Sequence, residues 1–240
     1  MAQTASFSFG DEVLITSGEN SGRTGAIVGM NHPEAPSIFT VEFGDGSDGE
    51  FPIESLRRLA STLPTFKYHP DPVATGSIEQ SSQECAVCHS SRGWSYTGSV
   101  YGQFEDEPVI CPWCIADEAA HRLLGVEFVD PRGVGGYGDW DAVPETVVEE
   151  ICFRTPSFTG CQQERWFTHC SDASEFLGKV GAAELQSFDS AAYEAIAKES
   201  GFIGKELEDY MASLDREKGP TAYLFRCRNC GSWGGYSDVY

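Results

Sequence analysis

Glu84-Cys85-Ala86-Val87-Cys88, followed after twenty-two residues by Cys111-Pro112-Trp113-Cys114, decides how the middle of this 240-residue chain is held together. Two Cys-x-x-Cys pairs at that separation can close a tetrahedral shell of four thiolates. That is the ligand set of structural zinc, not of a metal with a position open to substrate. The second pair follows the apolar Val109-Ile110 and opens a helical pattern, where the helix dipole favours thiolate. A knuckle before the strand-like Trp94–Gly98, with two further ligands at a helix start, is a treble-clef-like arrangement. It predicts zinc on Cys85, Cys88, Cys111 and Cys114. Cys111-Pro112-Trp113-Cys114 alone also has the form of a thioredoxin-type redox pair, but the βαβ context of that fold is missing around it.

Six of the nine cysteines fall in such pairs, the last being Cys227-Arg228-Asn229-Cys230. Its best partner is Cys170, in Thr168-His169-Cys170-Ser171-Asp172, read as preceding a helix. Cys170, Cys227 and Cys230 need a fourth ligand, for which His169, Cys161 and Asp172 compete. Adjacent residues seldom both ligate one metal, which counts against His169. The expectation is two zinc ions per chain.

Upstream of the cysteines, alternation in 12–16, 24–28 and 39–43 predicts three short strands, separated by turns at 17–22 and 44–46. Residues 52–59 read as a last short strand followed by a helical turn. The run Gly10-Asp11-x-Val13-x-Ile15-x-Ser17-Gly18-x-Asn20-x-Gly22-x-x-Gly25-x-Ile27 resembles a KOW-type SH3-like barrel, expected over 1–60. Members of that family often bind RNA with basic surfaces, whereas this stretch has only Arg23, Arg57 and Arg58. A protein-contact module is the expectation. Residues 61–64 read as a linker, and 65–240 as an α+β zinc-binding domain. Its helices are predicted at 114–124, 144–153, 172–180, 189–200 and 205–218, with a closing strand pair around Cys227 and Cys230. The predicted fold is thus α+β, a small SH3-like β-barrel followed by an α+β domain with treble-clef-like knuckles.

Several runs of this second domain are distinctive. They are Leu63-Pro64-x-Phe66-Lys67-Tyr68-His69-Pro70-Asp71-Pro72-x-x-Thr75-Gly76, Cys111-Pro112-Trp113-Cys114-Ile115-Ala116-Asp117, Arg154-Thr155-Pro156-x-Phe158 and Gln162-Gln163-Glu164-x-Trp166-x-x-His169-Cys170-x-Asp172. With the closing Cys-x-x-Cys they resemble the CbrC family of bacterial proteins over about 63–240. The resemblance implies a zinc-type cysteine framework and a link to tolerance of a nuclease colicin, with no established enzymatic activity. Two positions depart from the family pattern: Ser174 stands where a further cysteine is common, and Cys161 where tryptophan is.

The formal charge is −21, spread along the chain, with 9 acidic against 3 basic residues in 1–60 and 28 against 13 in 61–240. Such a surface repels phosphate backbones and attracts basic partners over long range. No run of eighteen apolar residues suits a membrane span, and the first ten residues carry no signal-peptide pattern, so a cytoplasmic protein is expected. The leading expectation is a non-enzymatic, zinc-stabilised, acidic protein that binds a basic partner, such as a nuclease-type toxin to which it confers tolerance or immunity. An alternative is a zinc-dependent hydrolase or transferase using Glu164 and His169 as an acid–base pair near the second metal. A third is a ribosome- or RNA-associated adaptor acting through the barrel. His69 and His121 read as ordinary surface or packing histidines. Tyr96, Tyr101, Trp113 and Trp166 read as core around the metal.

Overall fold

The computed structural model describes residues 7–32, 34–58 and 63–238. Residues 61 and 62 of the expected linker lie outside them. The chain forms two units, one of Met1–Leu63 with Ser81–Gly93, the other of Pro64–Gln80 with Trp94–Tyr240. Ser81–Gly93, assigned to the second domain by its sequence, groups with the first unit. There Ser90 Oγ donates to Phe9 O (3.1 Å).

The first unit is an antiparallel sheet of β1 (Glu12–Ile15), β2 (Thr24–Met30), β3 (Ile38–Phe43), β4 (Asp48–Pro52) and β5 (Leu56–Arg58), ordered β4-β3-β2-β1-β5. Alternation drives it: Phe39, Val41 and Phe43 face the core with Val13, Ile15 and Ile27, while Ile38 and Glu42 face out. The stretch 52–59 differs from expectation, because a 3₁₀ turn at Ile53–Ser55 precedes the last strand instead of following it. No pairing of β4 with β5 closes the sheet among the described residues. The link between these opposite edges nevertheless spans about 14 Å at full extension. Five flat strands would need about 19 Å, so the sheet must coil.

The second unit is a mixed α+β body. Its elements begin with β6 (Ile78–Gln80), β7 (Trp94–Tyr96), α1 (Pro112–Ala116), α2 (Ala119–Leu124), α3 (Glu145–Arg154), β8 (Thr168–His169), β9 (Asp172–Ala173) and β10 (Glu175–Val180). They continue with α4 (Ala182–Leu185), α5 (Ser190–Ser200), α6 (Gly204–Ser213), β11 (Thr221–Arg226) and β12 (Trp233–Asp238). The central antiparallel sheet is β10-β11-β12. Along β11, Tyr223 and Phe225 enter an aromatic core with Phe158, Trp166, Phe176 and Tyr236, whereas Ala222 and Leu224 face the layer of α4, α5 and α6. Pro144 stands at the N-cap of α3, and the Asp189 carboxylate accepts from Ala191 N and Ala192 N at the start of α5.

Three helix expectations are corrected. The run 172–180 is extended: β10 pairs with β11, and a bulge at Phe176/Gly178 lets it bury Phe176 in the aromatic core and Val180 against the helix layer. The helix expected at 114–124 breaks at Glu118, whose φ of 65° is left-handed, and Leu123 is 69% exposed. The last expected helix stops at Ser213. Among the described residues no helix is long and apolar enough to cross a membrane.

Two histidine readings gain detail. His121 stacks on Phe153 at 3.6 Å. His69 is fully buried, its ring nitrogens 2.7 Å from Pro156 O and 2.6 Å from Thr75 Oγ1. Burial lowers its pKa to about 4. Because the unfolded chain then binds more protons between its ordinary value near 6.5 and pH 4, stability rises with pH across that window and falls on acidification. The expected loss is about 3 kcal/mol for this group. Denaturant midpoints of the protein and of His69→Gln, measured from pH 7 to pH 4, should converge as the pH falls. Parallel curves would show that His69 is not the source of the pH dependence.

Candidate metal centres

Cys85 and Cys227 each open a six-residue turn, Cys85-Ala86-Val87-Cys88-His89-Ser90 and Cys227-Arg228-Asn229-Cys230-Gly231-Ser232. The two turns share one backbone pattern. Cys85 N donates to Ser90 O (3.1 Å) and His89 N to Cys85 O (2.9 Å); Cys227 N donates to Ser232 O (2.8 Å) and Gly231 N to Cys227 O (2.9 Å). The fifth residue is left-handed in both, His89 at φ 51° and Gly231 at φ 74°. In the first turn Val87 N also donates to Cys85 Sγ (3.4 Å), as a thiolate-holding knuckle requires. The recurring Cys-x-x-Cys-x-Ser is a signal that the reading by pairs alone passes over.

Cys111 is the N-cap of α1, with Pro112 at the first helical position and Cys114 N donating to Cys111 O (3.1 Å). Cys85, Cys88, Cys111 and Cys114 offer sulfurs within 4.8 Å of one another. Tetrahedral Zn–S bonds of about 2.3 Å place sulfurs about 3.8 Å apart, so the set fits a metal of that size. Cys85, Cys111 and Cys114 are each at most 3% exposed.

The second cluster is His169, Cys170, Cys227 and Cys230, again within 4.8 Å. The fourth group is His169: its Nδ1 lies 3.2 Å from Cys170 Sγ and 3.4 Å from Cys230 Sγ. Cys161 lies outside, its N–H given to Tyr223 Oη at 2.9 Å. The Asp172 carboxylate instead accepts from Tyr68 Oη (2.5 Å) and from Ala173 N (2.9 Å), and lies 3.6 Å from Lys67 Nζ. Cys170 does not precede a helix. With Ser171 it forms the two-residue turn between β8 and β9, both at φ 56°. Neighbours in a strand point to opposite faces, but a left-handed Cys170 has left that alternation, which lets adjacent residues converge. Two non-glycine residues in this conformation are a strained arrangement of the kind found at ligand-holding sites.

The two clusters differ in exposure. In the second only Cys227 is buried, while Cys170 and Cys230 are exposed. Ser232, with its Oγ 3.1 Å from Cys230 Sγ, lowers the Cys230 thiol to about 6. The hydrogen bond to Cys230 in turn raises Cys170 to about 11, so this set shares protons that a cation would displace.

The polar residues between Cys161 and His169 have separate tasks. Glu164, 3% exposed, accepts from Tyr101 Oη at 2.5 Å. That contact and burial raise Tyr101 above the usual phenol range, burial being the larger cause. Gln163 Nε2 donates to Asp130 (2.8 Å). Trp166 is fully buried and donates from Nε1 to Ser174 O (2.9 Å). Glu164 and His169 thus take different partners, an arrangement unlike an acid–base pair.

The sequence model of a family described as "Uncharacterised protein family (UPF0167)" matches residues 63–239. The chain is 44% identical over 179 residues to "UPF0167 protein Mb2317" of Mycobacterium bovis, covering 73% of this chain and 93% of that protein. The same values hold for "UPF0167 protein MT2352" of Mycobacterium tuberculosis. "UPF0167 protein PA1536" of Pseudomonas aeruginosa is 37% identical over 173 residues, 70% of this chain and 93% of that protein. These matches overturn the assignment to the CbrC family, since both the family and its named relatives are UPF0167. The colicin expectation loses the resemblance that carried it. The five-stranded sheet lies outside the matched residues.

Proposed function

Since the chain belongs to the UPF0167 family, whose name carries no activity, we propose from its chemistry a zinc-stabilised, non-enzymatic binding protein with two zinc ions and a basic protein partner. The carrying observation is that each cluster supplies four protein donors within 4.8 Å. Four donors saturate tetrahedral zinc, which leaves no coordination position for substrate or activated water. Thiolate-rich sets of this kind favour zinc over hard cations such as magnesium or calcium. Seven of the nine cysteines gather in the two clusters, a metal-type use of thiols that suits a reducing compartment and supports a cytoplasmic location.

The partner's chemistry follows from the charge of −21, which attracts cations and repels nucleic acid. For the first unit, the short link between opposite sheet edges supports an SH3-like coil used in protein contact. Its Arg23 is held by Asp45 (2.7 Å) and lies 3.7 Å over the Phe43 ring, which leaves little for phosphate.

Metal analysis of protein purified without chelator tests the proposal. The expected result is two zincs per chain. Substitution by cobalt should give the overlapping spectra of a four-thiolate site and a three-thiolate, one-imidazole site. A single metal, or a cobalt site with bound water, would overturn the closed-site reading.

A further inference from the structure

Three helices of the second unit, α4, α5 and α6, border a groove of about 560 Å³. Its floor is apolar, formed by Leu185, Phe188 and Met211, and its rim carries Glu194 and Glu208. Neither carboxylate has a hydrogen-bond or ion-pair partner among the described residues, and no Lys or Arg lines the groove. The nearby acid on α6, Asp209, is by contrast offset by Lys205 at 3.6 Å.

A second cleft, about 570 Å³ beside His169, carries cations as well as acids. Its Asp139 and Glu199 are bridged by Arg165 at 2.7 and 2.9 Å, and Lys198 stands in its wall. Arg165 also covers the Trp140 ring, with Cζ 4.5 Å from the centroid. Of these two, only the helical groove is lined by acids with no Lys or Arg beside them.

We propose that this groove is the docking site for a basic amphipathic segment of a partner protein. Its apolar side chains would enter over Met211 and Leu185, and its Lys or Arg side chains would pair with Glu194 and Glu208. Charge chooses this occupant. A second copy of the chain would bring −21 against −21, and nucleic acid or an anionic membrane would be repelled for the same reason. An apolar groove between helices is a common seat for an amphipathic helix, and a methionine floor adapts to the side chains that enter. The inference rests on the basic-partner reading and locates it.

The test uses the full chain and a fluorescent synthetic Leu/Lys amphipathic peptide, with its Leu/Glu counterpart as control. The Leu/Lys peptide should bind, weaken with salt, and lose about tenfold or more in affinity in Glu194→Lys/Glu208→Lys. Ala212→Trp, at an exposed α6 position lining the groove, should fill it and weaken binding at unchanged net charge. Glu105→Lys/Glu107→Lys, the same charge change in an exposed loop, should have little effect. Binding that falls with salt but ignores both groove variants would overturn the groove and leave the basic-partner reading standing. Equal loss in the loop variant, or no binding at all, would also overturn it. An unchanged thermal midpoint in Ala212→Trp shows that its effect is local.

Discussion

Cys227→Ser is expected to reduce the zinc content from two to one per chain and to destabilise the second unit by at least about 3 kcal/mol. Structural zinc contributes roughly 10–16 kcal/mol in small metal-dependent peptides, of which a body with its own aromatic core should depend on a part. Cys227 is the buried member of the second cluster, at 3% exposure, on the turn that joins β11 to β12. The substitution leaves three donors, His169, Cys170 and Cys230, of which the two cysteines are exposed. Zinc content and the denaturant midpoint should therefore fall together, while the metal of Cys85, Cys88, Cys111 and Cys114 stays. Two zincs with an unmoved midpoint would show that this cluster does not hold a structural metal.

Trp166→Ala should cost about 3–5 kcal/mol, the range for truncating a buried large aromatic residue. Trp166 is fully buried, its ring centroid 5.7 Å from Phe158 and 5.8 Å from Phe225. Its backbone is tied in as well: Trp166 N donates to Gly133 O (2.9 Å) and Gly135 N to Trp166 O (3.0 Å). Loss of the indole also removes the donor to Ser174 O, beside a Ser174 Oγ that already takes no partner. Trp166→Phe keeps most of the ring and should recover more than half of the loss. Urea unfolding followed by circular dichroism would measure both, and an alanine variant within 1 kcal/mol of the parent would contradict the packing account.

Some of this architecture is legible because its causes are local. Asp189 announces the start of α5 by capping it, and Pro144 sits at the N-cap of α3. Alternation in 39–43 gives β3 directly. The failure at 172–180 has an equally definite cause. Phe176, Leu177 and Val180 recur at helical spacing, so their pattern mimics a helix face. The fold instead puts Phe176 and Val180 on opposite faces of the sheet, because the bulge between Phe176 and Gly178 interrupts the alternation. Pairing with β11, whose register runs from Glu175↔Arg226 to Val180↔Ala222, then outweighs local propensity.

The metal clusters divide along the same line. Spacing alone determined that Cys85 with Cys88, Cys111 with Cys114 and Cys227 with Cys230 would each present two sulfurs together, because such turns close through hydrogen bonds within six residues. The acidic character was likewise fixed by composition. The fourth donor of the second cluster was decided by tertiary structure. Cys161, His169 and Asp172 are close in sequence and chemically plausible, and His169 lies 58 residues from Cys227. Which of them meets that turn depends on the β8–β9 hairpin, the left-handed Cys170, and the Tyr68 and Tyr223 hydroxyls that occupy Asp172 and Cys161. Those are long-range contacts, and no local pattern encodes them.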